Sequence, residues 1–541
     1  MINGAEAMVK CLEAEGIKTI FGYPGVAIAP FYDSLYRSSI EHVLVRQEQG
    51  AGHAASGYAR ISRKPAVCVT SSGPGATNMI TALATAYADS IPIIAITGQV
   101  NSELLGRDVF QEADIKGATQ SFTKHSYLVR NADDIPQIMK EAFFIASTGR
   151  PGPILIDVPT DVQNAMLTKE FKYPESISIR GYKPTAKGNP QQMKKVVSAI
   201  QKAKKPVMCV GGGVILSNAE ERIRTFCEAT NIPCVSTMMG IGVMPKKHPL
   251  YFGMIGNNGK PYANRAVYKE SDLLIIAGAR IADRAITKPK NLEQDVSIIH
   301  IDIDTAEIGK NLGPMLPLVG DINKIFDELT NSGIEKKSDE WIRELTDIKT
   351  STVDNRVFSE EYVNPNLFVQ TLSGKMNDDA IYLADVGQNQ LWSADNYIMK
   401  KGRYLTTGGM GCMGYSIPAS LGAKMAAPDK QVVAVCGDGA FQMTMNELGT
   451  AKVNNVPLKI VIIQNHVLGL VREFQTNTYD DRYSGIDLYN YPKFDKIAEA
   501  YDMSYYEVNS NEELDDAVDA FLADENGCIM VCQVHFCNKV K

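Results

Sequence analysis

Short runs of apolar residues recur along the chain, and each is followed by a turn and then by a longer segment with helical spacing. Residues 67–70, 432–435 and 458–463 are three such runs, and their length is typical of strands buried on both faces. Strands that alternate with helices predict parallel sheets covered by helices on both sides. The pattern therefore predicts an α/β fold of doubly wound parallel sheets, with ligands bound beyond the carboxyl ends of the strands.

Two polar segments divide this alternation into three blocks. Residues 169–190 form a polar, proline-containing stretch, and a charged run at 335–340 leads into a second connector. Both are typical of linkers. We therefore predict three domains, at residues 1–165, 190–335 and 365–541, each of ordinary size. Residues 1–20 predict an amphipathic helix rather than a signal segment.

Composition narrows the class of protein. The chain is 45% hydrophobic and 22% charged, with a net charge of −7, which indicates a globular protein without the basic surface that nucleic acids require. No uncharged run approaches the roughly 18 residues of a membrane span. The ten cysteines lie mostly in apolar strands, as expected for reduced thiols in the cytoplasm.

The turn Gly437-Asp438-Gly439 is the most informative local feature. It follows the apolar run at 432–435, while Asn465 ends the next apolar run. A carboxylate at a helix N-terminus between two glycines suits Mg²⁺ that bridges to a diphosphate. Asp438, Asn465 and the backbone carbonyl of Val467 are the predicted metal ligands. The alternative is an ordinary β-turn, which the strand context disfavours.

This arrangement resembles the thiamine-diphosphate motif of decarboxylases and carboligases. Such enzymes need a glutamate in another domain, hydrogen-bonded to the pyrimidine ring of the cofactor. Glu48 follows the apolar residues 43–45 and opens a predicted helix. The alternative for Glu48 is a solvated first-turn glutamate, favoured by the helix dipole. Paired with the distant metal motif, Glu48 is the better candidate for the proton-activating residue.

Further motifs at strand ends occur in the order known for one branch of these enzymes. They lie at residues 23–25, 71–78, 387–390 and 407–414. More specific sequences lie at 110–114, 150–153, 276–280, 283–284 and 300–304. Together they resemble the large catalytic subunit of acetohydroxyacid (acetolactate) synthase over residues 1 to about 535.

The resemblance implies three domains of the thiamine-diphosphate enzyme type and an activity in branched-chain amino acid biosynthesis. Pyruvate is decarboxylated on thiamine diphosphate, and the two-carbon unit passes to a second 2-keto acid, either pyruvate or 2-ketobutyrate. Glu48, Phe110, Gln111 and Arg284 are the implied catalytic residues, with Arg284 holding the acceptor carboxylate. The alternative for Arg284 is a structural ion pair with Asp283.

The resemblance also assigns cofactor-binding residues. Those for thiamine diphosphate are Tyr23, Pro24, Gly25, Pro74, Asn78, Val386, Gly387, Gln388, Asn389, Gly411, Met413, Gly437, Asp438, Gly439, Ala440, Asn465, Val467, Leu468, Gly469 and Leu470. Those for FAD are Arg150, Gly211, Gly212, Gly213, Thr237, Met238, Gly278, Arg280, Asp302, Ile303, Asp321 and Ile322.

The residue types alone indicate FAD less specifically than the resemblance does. The triplet Gly211-Gly212-Gly213 lets backbone amides approach a phosphate, and Asp302 and Asp321 each close a predicted strand where a hydroxyl of the flavin chain can be held. The alternative is a folded middle domain whose flavin site is empty. The resemblance further implies a homodimer or homotetramer with the active site at the subunit interface, and it allows for a small regulatory subunit.

The chain departs from the family pattern around the acceptor pocket. Thr160 replaces a usual lysine, Phe474 a tryptophan, Asn257 a methionine, Val26 a glycine and Asn389 a histidine. We therefore predict an intact donor half-reaction with reduced preference for 2-ketobutyrate. Two other hypotheses remain open: a related carboligase that passes the acetyl unit to another ketone or aldehyde, such as a keto sugar, and a non-catalytic homologue.

Overall fold

The computed structural model describes residues 1–287, 289, 292, 296–313, 315–353, 356, 358–489 and 492–540. Within these ranges the chain forms three six-stranded sheets, and all neighbouring strands are parallel. The predicted class of doubly wound parallel sheets is confirmed. No helix in these ranges is long and apolar enough to cross a membrane.

The first unit carries a sheet of order β2-β1-β3-β4-β6-β5. Its strands are β1 Thr19–Tyr23, β2 Glu41–Leu44, β3 Ala66–Thr70, β4 Ile93–Gln99, β5 His125–Leu128 and β6 Ile154–Pro159. Its α-helices are Gly4–Ala14, Ala29–Leu35, Glu48–Ser62, Pro74–Thr77, Ile80–Asp89, Ile115–Thr119, Ile135–Ser147 and Thr160–Asn164.

The middle unit carries a sheet of order β12-β11-β10-β7-β8-β9. Its strands are β7 Pro206–Val210, β8 Cys234–Ser236, β9 Tyr251–Met254, β10 Leu273–Ala277, β11 Ser297–Asp302 and β12 Leu316–Val319. Its described α-helices include Pro190–Lys202, Gly212–Leu216, Glu220–Thr230, Pro261–Arg265, Ile322–Thr330 and Asp339–Ser351.

The third unit carries a sheet of order β14-β13-β15-β16-β18-β17. Its strands are β13 Ile381–Ala384, β14 Arg403–Leu405, β15 Val432–Gly437, β16 Lys459–Gln464, β17 Ser504–Val508 and β18 Cys528–Gln533. Its α-helices are Pro365–Lys375, Gln388–Asn396, Ser416–Ala426, Asp438–Thr444, Leu448–Val453, Gly469–Tyr479, Phe494–Ala500 and Leu514–Ala523.

The first and third sheets have the same strand order when each is numbered from its own first strand, 2-1-3-4-6-5. The middle sheet, numbered the same way, has the order 3-2-1-4-5-6. That order is the one found in dinucleotide-binding sheets. Each sheet therefore has a point where successive connections leave in opposite directions, and a crevice is expected at the carboxyl ends of the strands there.

Two segments differ from a simple alternation of strand and helix. After β15 the chain forms the helix Asp438–Thr444, a 3₁₀ turn at Met445–Glu447 and the helix Leu448–Val453 rather than one continuous helix. The predicted linker at 169–190 is not a free connector, because Phe171, Tyr173 and Tyr182 pack on the core of the first unit. These aromatic residues gain burial that a polar linker would not offer.

The first and third units share an apolar core, which contains Ala54 from one and Leu421 from the other. The helices Glu48–Ser62 and Ser416–Ala426 pack closely within it because glycine lies at both crossing points. A Cβ on Gly57 would overlap the carbonyl of Ala419, and a Cβ on Gly422 would overlap that of Ala54. The helix that begins with Glu48 is therefore held against the third unit of its own chain.

Candidate active site

The candidate cofactor residues gather at two of the topological switch points. In the third sheet, the loops at 386–388 and 437–439 leave the adjacent strands β13 and β15. In the first sheet, the loops at 23–25 and 71–78 leave the adjacent strands β1 and β3. These are the positions where open parallel sheets bind ligands, so the strand order supports the sites that the motifs indicated.

Asp438 lies at the N-terminus of its helix and is 2% exposed. Its carboxylate accepts the backbone N–H groups of Gly439 at 2.9 Å, Asn465 at 3.1 Å and His466 at 2.8 Å. Burial raises the pKa of this carboxyl group, and the three backbone hydrogen bonds oppose that shift. No Lys or Arg in the described part of the chain forms an ion pair with it.

Asn465 connects the two sides of the crevice. Its amide nitrogen donates to Oε1 of Gln388 at 2.9 Å, and its Oδ1 accepts the N–H of Val467 at 3.1 Å. The side-chain amide of Gln388 fills the space beside Gly469, and a Cβ on Gly469 would overlap that amide. The structure thus brings the predicted metal ligands Asp438, Asn465 and Val467 together with Gln388.

The chemistry of this set fits a hard cation and a diphosphate. A buried carboxylate with no cationic partner, an amide oxygen and a backbone carbonyl are ligands that Mg²⁺ accepts, with the remaining positions left for phosphate and water. Gly387 has φ +144°, where a side chain is strained. Gly439 lies against Leu468 and Met413, which places three of the predicted residues around one loop.

Asn389 fits the diphosphate role less well. Its amide nitrogen donates to the carbonyls of Asp385 at 2.9 Å and Val435 at 3.1 Å, so its Oδ1 faces Gly387 and Gly437. That oxygen is buried and has no hydrogen-bond partner among the described residues. Asn389 therefore presents an acceptor to this loop, which suits a bound water better than a phosphate oxygen.

The predicted proton-activating end lies at the carboxyl edge of the first sheet. Asn78 donates to Oε2 of Glu48 at 2.9 Å, and a Cβ on Gly75 would lie 3.5 Å from Oε1 of Glu48. Gln111, at φ +59°, packs against Gly73 of the same loop. Glu48, Asn78 and Gln111 are thus brought together, and the Glu48–Asn78 bond lies on the exposed surface of the single chain.

Two other predicted catalytic residues are exposed. The side chain of Phe110 is 87% exposed, and that of Arg284 is 77% exposed. Arg284 lies 3.8 Å from Asp283, which is itself largely exposed, so this ion pair contributes little stability. Within one chain, the structure brings neither residue to the cluster around Asp438.

Sequence reasoning missed two buried carboxylates that organise the site. Asp385 accepts the N–H groups of Val386, Gly414 and Ser416 at 2.7–3.0 Å, and so joins the loop after β13 to the segment that directly follows Met413. It directly follows β13, as Asp438 follows β15, and this equivalent position is a signal that the sequence did contain.

The second is Glu447, which is 1% exposed. It accepts the N–H groups of Arg46 and Gln47 at 3.1 Å, immediately before Glu48, and the hydroxyl of Thr450 at 2.6 Å. Burial raises the pKa of Glu447, and its hydrogen bonds oppose the shift. No local pattern indicates this contact, since the partners are 400 residues apart.

In the middle unit the glycine triplet has a packing role. The N–H of Gly213 donates to the carbonyl of Gly278 at 2.9 Å, and a Cβ on Gly211 would overlap that carbonyl. The loops after β7 and β10 therefore touch backbone to backbone. Close loop packing explains Gly211 and Gly213 without a ligand, so the triplet alone says little about a flavin.

The charged candidates of this unit are partly committed to other contacts. Asp321 caps the helix Ile322–Thr330 through Lys324 N–H and accepts the hydroxyl of Ser217 at 2.8 Å. Arg150 donates to Asp304 at 3.2 Å and Glu307 at 2.9 Å. Asp302 is 9% exposed, and burial raises its pKa to about 6.

A buried acceptor lies close to these residues. A cavity of about 120 Å³ is lined by Gly212, Met238 and Asp89, among others. Asp89 accepts the N–H of Gly409 at 2.8 Å, while its Oδ2 has no hydrogen-bond partner among the described residues. Burial raises the pKa of Asp89. An unpartnered carboxyl oxygen beside Gly212 fits a hydroxyl of a ligand.

The remaining candidates lie at or near the carboxyl ends of the same three sheets. They are Tyr23, Pro24, Gly25, Pro74, Gly411, Ala440, Leu468, Leu470, Thr237, Arg280, Ile303 and Ile322.

Comparison with known proteins also divides the chain into three parts. Three family models match: the N-terminal TPP binding domain of thiamine pyrophosphate enzymes at residues 2–118, their central domain at 193–329 and their C-terminal TPP binding domain at 385–533. The central match contains all six strands of the middle sheet, whereas the N-terminal match contains β1–β4 of the first sheet and the C-terminal match contains β14–β18 of the third. The fold and the site thus define a thiamine pyrophosphate enzyme.

The similar curated proteins give a narrower family. The chain is 47% identical to an acetolactate synthase large subunit of Corynebacterium glutamicum, over 90% of this chain and 79% of that protein. It is 42% identical to a probable acetolactate synthase large subunit of Methanocaldococcus jannaschii, over 97% and 90%. An acetolactate synthase of Mycobacterium bovis is 44% identical, over 92% and 82%. The chain belongs to the acetolactate synthase large-subunit family.

Proposed function

We propose that this protein makes acetolactate from two molecules of pyruvate on thiamine diphosphate. Two contacts carry the proposal: Asp438 lies beside the switch point of the third sheet, and Glu48 touches the loop 71–78 at the switch point of the first sheet. Each lies among residues suited to one end of the cofactor. The relatives named above are acetolactate synthases, which supports the same reaction. No observation favours a keto sugar as the acceptor.

At the diphosphate end, Asp438, Asn465 and the Val467 carbonyl would hold Mg²⁺. The N-terminus of the helix Asp438–Thr444 and the loop at Gly387 would accommodate the phosphates, because both present backbone N–H groups without side-chain obstruction. Gln388 fixes the orientation of Asn465 through their 2.9 Å hydrogen bond.

At the other end, thiamine diphosphate supplies the electron sink for decarboxylation and carbon transfer. Glu48 would hold a proton at its carboxyl group against the cofactor, in place of its present bond to Asn78. Gln111 and Phe110 would line the pocket and exclude water. Arg284 would bind the carboxylate of the acceptor, since a guanidinium binds a carboxylate through two parallel hydrogen bonds.

We also propose that two copies of the chain form each active site. Phe110 is 87% exposed, Val26 85% and Phe474 57%, although all three belong to the predicted pocket. Because they belong to the predicted pocket, we propose that a second copy of the chain covers these exposed apolar side chains. In a single chain Glu48 is half-buried and its bond to Asn78 is exposed, whereas proton activation needs a site without bulk water. A homodimer is therefore the smallest working unit.

We propose FAD as a structural cofactor of the middle unit. The strand order 3-2-1-4-5-6 is that of dinucleotide-binding sheets, and the loops after β7 and β10 flank its switch point. Asp302 and the free oxygen of Asp89 are acceptors near this crevice. The carboligation transfers no net electrons, so the flavin would not be reduced. The absorbance of the purified protein at the flavin bands tests directly whether FAD is bound.

The ten cysteines are all unpaired within the described residues, which is consistent with the cytoplasmic location that we propose.

One incubation tests the main proposal. The purified protein is mixed with pyruvate, thiamine diphosphate and Mg²⁺, with and without FAD, and the product is identified by mass spectrometry. We expect acetolactate and CO₂ in equal amounts. CO₂ release with a different carbon product would show another carboligase, and no CO₂ release from the fully supplemented protein would overturn the proposal.

A further inference from the structure

A second cavity, of about 260 Å³, lies where the three units meet. Arg63 of the first unit, Arg224 of the middle unit and Arg403 of the third unit all line it. We refer to it as the three-arginine cavity. Among the described lining residues, none is a candidate for thiamine diphosphate, Mg²⁺ or FAD. Arg63 and Arg403 also line the 120 Å³ cavity beside Gly212, so the two cavities adjoin, but the FAD candidates Gly212 and Met238 line only that first one.

The charges around this cavity do not balance. Its two carboxylates are Glu220 and Glu221. A single oxygen of Glu220 accepts both Arg63 at 3.0 Å and Arg403 at 3.1 Å. Glu221, 80% exposed, pairs with Arg224 at 3.1 Å.

Two lysines add to the positive charge. Lys400 and Lys401 also line the cavity. The ammonium of Lys400 is engaged outside the cavity lining, with Asp378 at 3.6 Å and two backbone carbonyls. The other four cationic groups share the two carboxylates that line the cavity.

The guanidinium groups show this imbalance individually. Burial lowers the pKa of Arg403 to about 10, and the positive charge of Arg63 adds to the effect against the attraction of Glu220. Nε of Arg224 is buried without a hydrogen-bond acceptor in the described part of the chain. A buried donor without an acceptor costs free energy, so an anion in the cavity would offer an acceptor to Arg224 and further negative charge to the two arginines that share one oxygen of Glu220.

Arg63 also occupies a strained backbone position. It ends the helix Glu48–Ser62 with φ +58°, a left-handed conformation that favours glycine. A glycine there would relieve the strain and would remove the bond to Glu220, while leaving the buried apolar clusters unchanged because Arg63 is not part of them. The strained position keeps a guanidinium at the edge of the cavity.

We propose that the three-arginine cavity binds a small phosphate-bearing anion, either inorganic phosphate or inorganic diphosphate. Planar guanidinium groups from three directions suit a tetrahedral anion with several oxygens better than a flat carboxylate. A volume of about 260 Å³ is below the roughly 300 Å³ at which pockets for larger organic ligands begin. The bound anion would contact all three units and fix them relative to one another.

Calorimetric titration of the full-length protein tests this proposal. The protein is first saturated with thiamine diphosphate and Mg²⁺, with FAD present, so that the cofactor sites cannot take up the added anion. Inorganic phosphate and inorganic diphosphate are then titrated separately. Two blanks are run: sodium chloride of equal ionic strength into the protein, and each anion into the same Mg²⁺ and cofactor solution without protein, because diphosphate also binds free Mg²⁺. We expect at least one of the two anions to bind with heat that neither blank gives, and the tighter ligand identifies the anion.

Matched variants locate the binding site. Arg63→Gly removes one guanidinium and relieves backbone strain, and it should weaken binding roughly ten- to hundredfold, as expected for one charged hydrogen-bonding group. Its thermal unfolding should show that it folds as well as the unmodified protein. Lys401→Gln should weaken binding in the same direction. Arg37→Gln, which removes an exposed arginine paired with Asp33 far from the cavity, should bind as the unmodified protein does.

Three results would overturn the proposal. They are equal affinity in Arg63→Gly and the unmodified protein, binding that is seen only when the cofactors are omitted, and heats no larger than those of the blanks.

Discussion

Replacing Glu447 should loosen the start of the helix that carries Glu48. The Glu447 carboxylate accepts two backbone N–H groups at 3.1 Å and the Thr450 hydroxyl at 2.6 Å. Glu447→Ala leaves the N–H groups of Arg46 and Gln47 buried without an acceptor, at about 1–3 kcal/mol each. Allowing for the cost of burying the carboxylate itself, we expect a net local loss of about 3–5 kcal/mol.

Hydrogen exchange measures this loss where it occurs. The amides at residues 46–52 should exchange roughly a hundred to several thousand times faster in Glu447→Ala, because each 1.4 kcal/mol is tenfold. Glu447→Gln keeps an oxygen acceptor and should show a smaller change, of about 1–2 kcal/mol. Turnover of pyruvate should fall in the same order, since Glu48 follows the two released amides directly.

Glu499→Ala is the matched control. Glu499 is a 70% exposed acid on the same unit, and its one ion pair among the described residues is with a surface lysine. Its removal should change the opening free energy of the amides at residues 46–52 by less than about 0.5 kcal/mol. Unchanged exchange at Arg46 and Gln47 in Glu447→Ala would refute the idea that this carboxylate positions the helix.

Three further predictions concern the cofactor and acceptor sites. Asp302 has a folded pKa of about 6, above the usual 3.8, so the folded state keeps a proton that the unfolded chain has lost. The free energy of unfolding of the flavin-free protein should therefore fall by up to about 3 kcal/mol as the pH rises from about 4 to 7. Asp302→Asn should flatten the plot of melting temperature against pH, and an unchanged slope would count against this explanation. Gly387→Ala should weaken thiamine diphosphate binding at least about tenfold, because φ is +144° and the added Cβ would lie 2.8 Å from Asn389; Gly374→Ala, whose Cβ would make an ordinary contact 3.7 Å from Ile398, is the control, and equal affinity of the two variants would contradict the prediction. Phe474→Trp should raise the ratio of 2-ketobutyrate to pyruvate used as acceptor in a competition assay, and a ratio that stays low would show that Phe474 does not set the preference.

The positions of the main site residues could be predicted because they depend on local sequence. Asp438, Asn465 and Glu48 each follow an apolar run and open or precede a helix. The functional residues at the strand ends could therefore be predicted without knowledge of the sheet order. The order itself was not readable, because it depends on which strands pair over long distances. Only the structure shows that the loops after β13 and β15 are neighbours.

The contacts that sequence reasoning missed are tertiary. Glu447 meets Arg46 across 400 residues, and nothing in its surroundings distinguishes it from a surface glutamate. For Gly211 and Gly213 the error is the opposite one, because the sequence suggested a ligand-binding role where a tertiary contact already explains the glycines. A phosphate-binding loop and a close backbone contact both require glycine, and the sequence cannot separate these causes, whereas the bond between Gly213 and Gly278 accounts for one of them.

Mixing two inactive variants tests most directly whether Glu48 and Asp438 of different copies serve the same cofactor. Glu48→Gln and Asp438→Ala are each expected to lack activity as homodimers. After dissociation and reassembly in equal amounts, half of the dimers contain one chain of each kind, and each such dimer has one intact site if the site is shared. We predict recovery of about a quarter of the unmodified activity. No recovery, in a mixture shown by mass spectrometry to contain mixed dimers, would contradict the account.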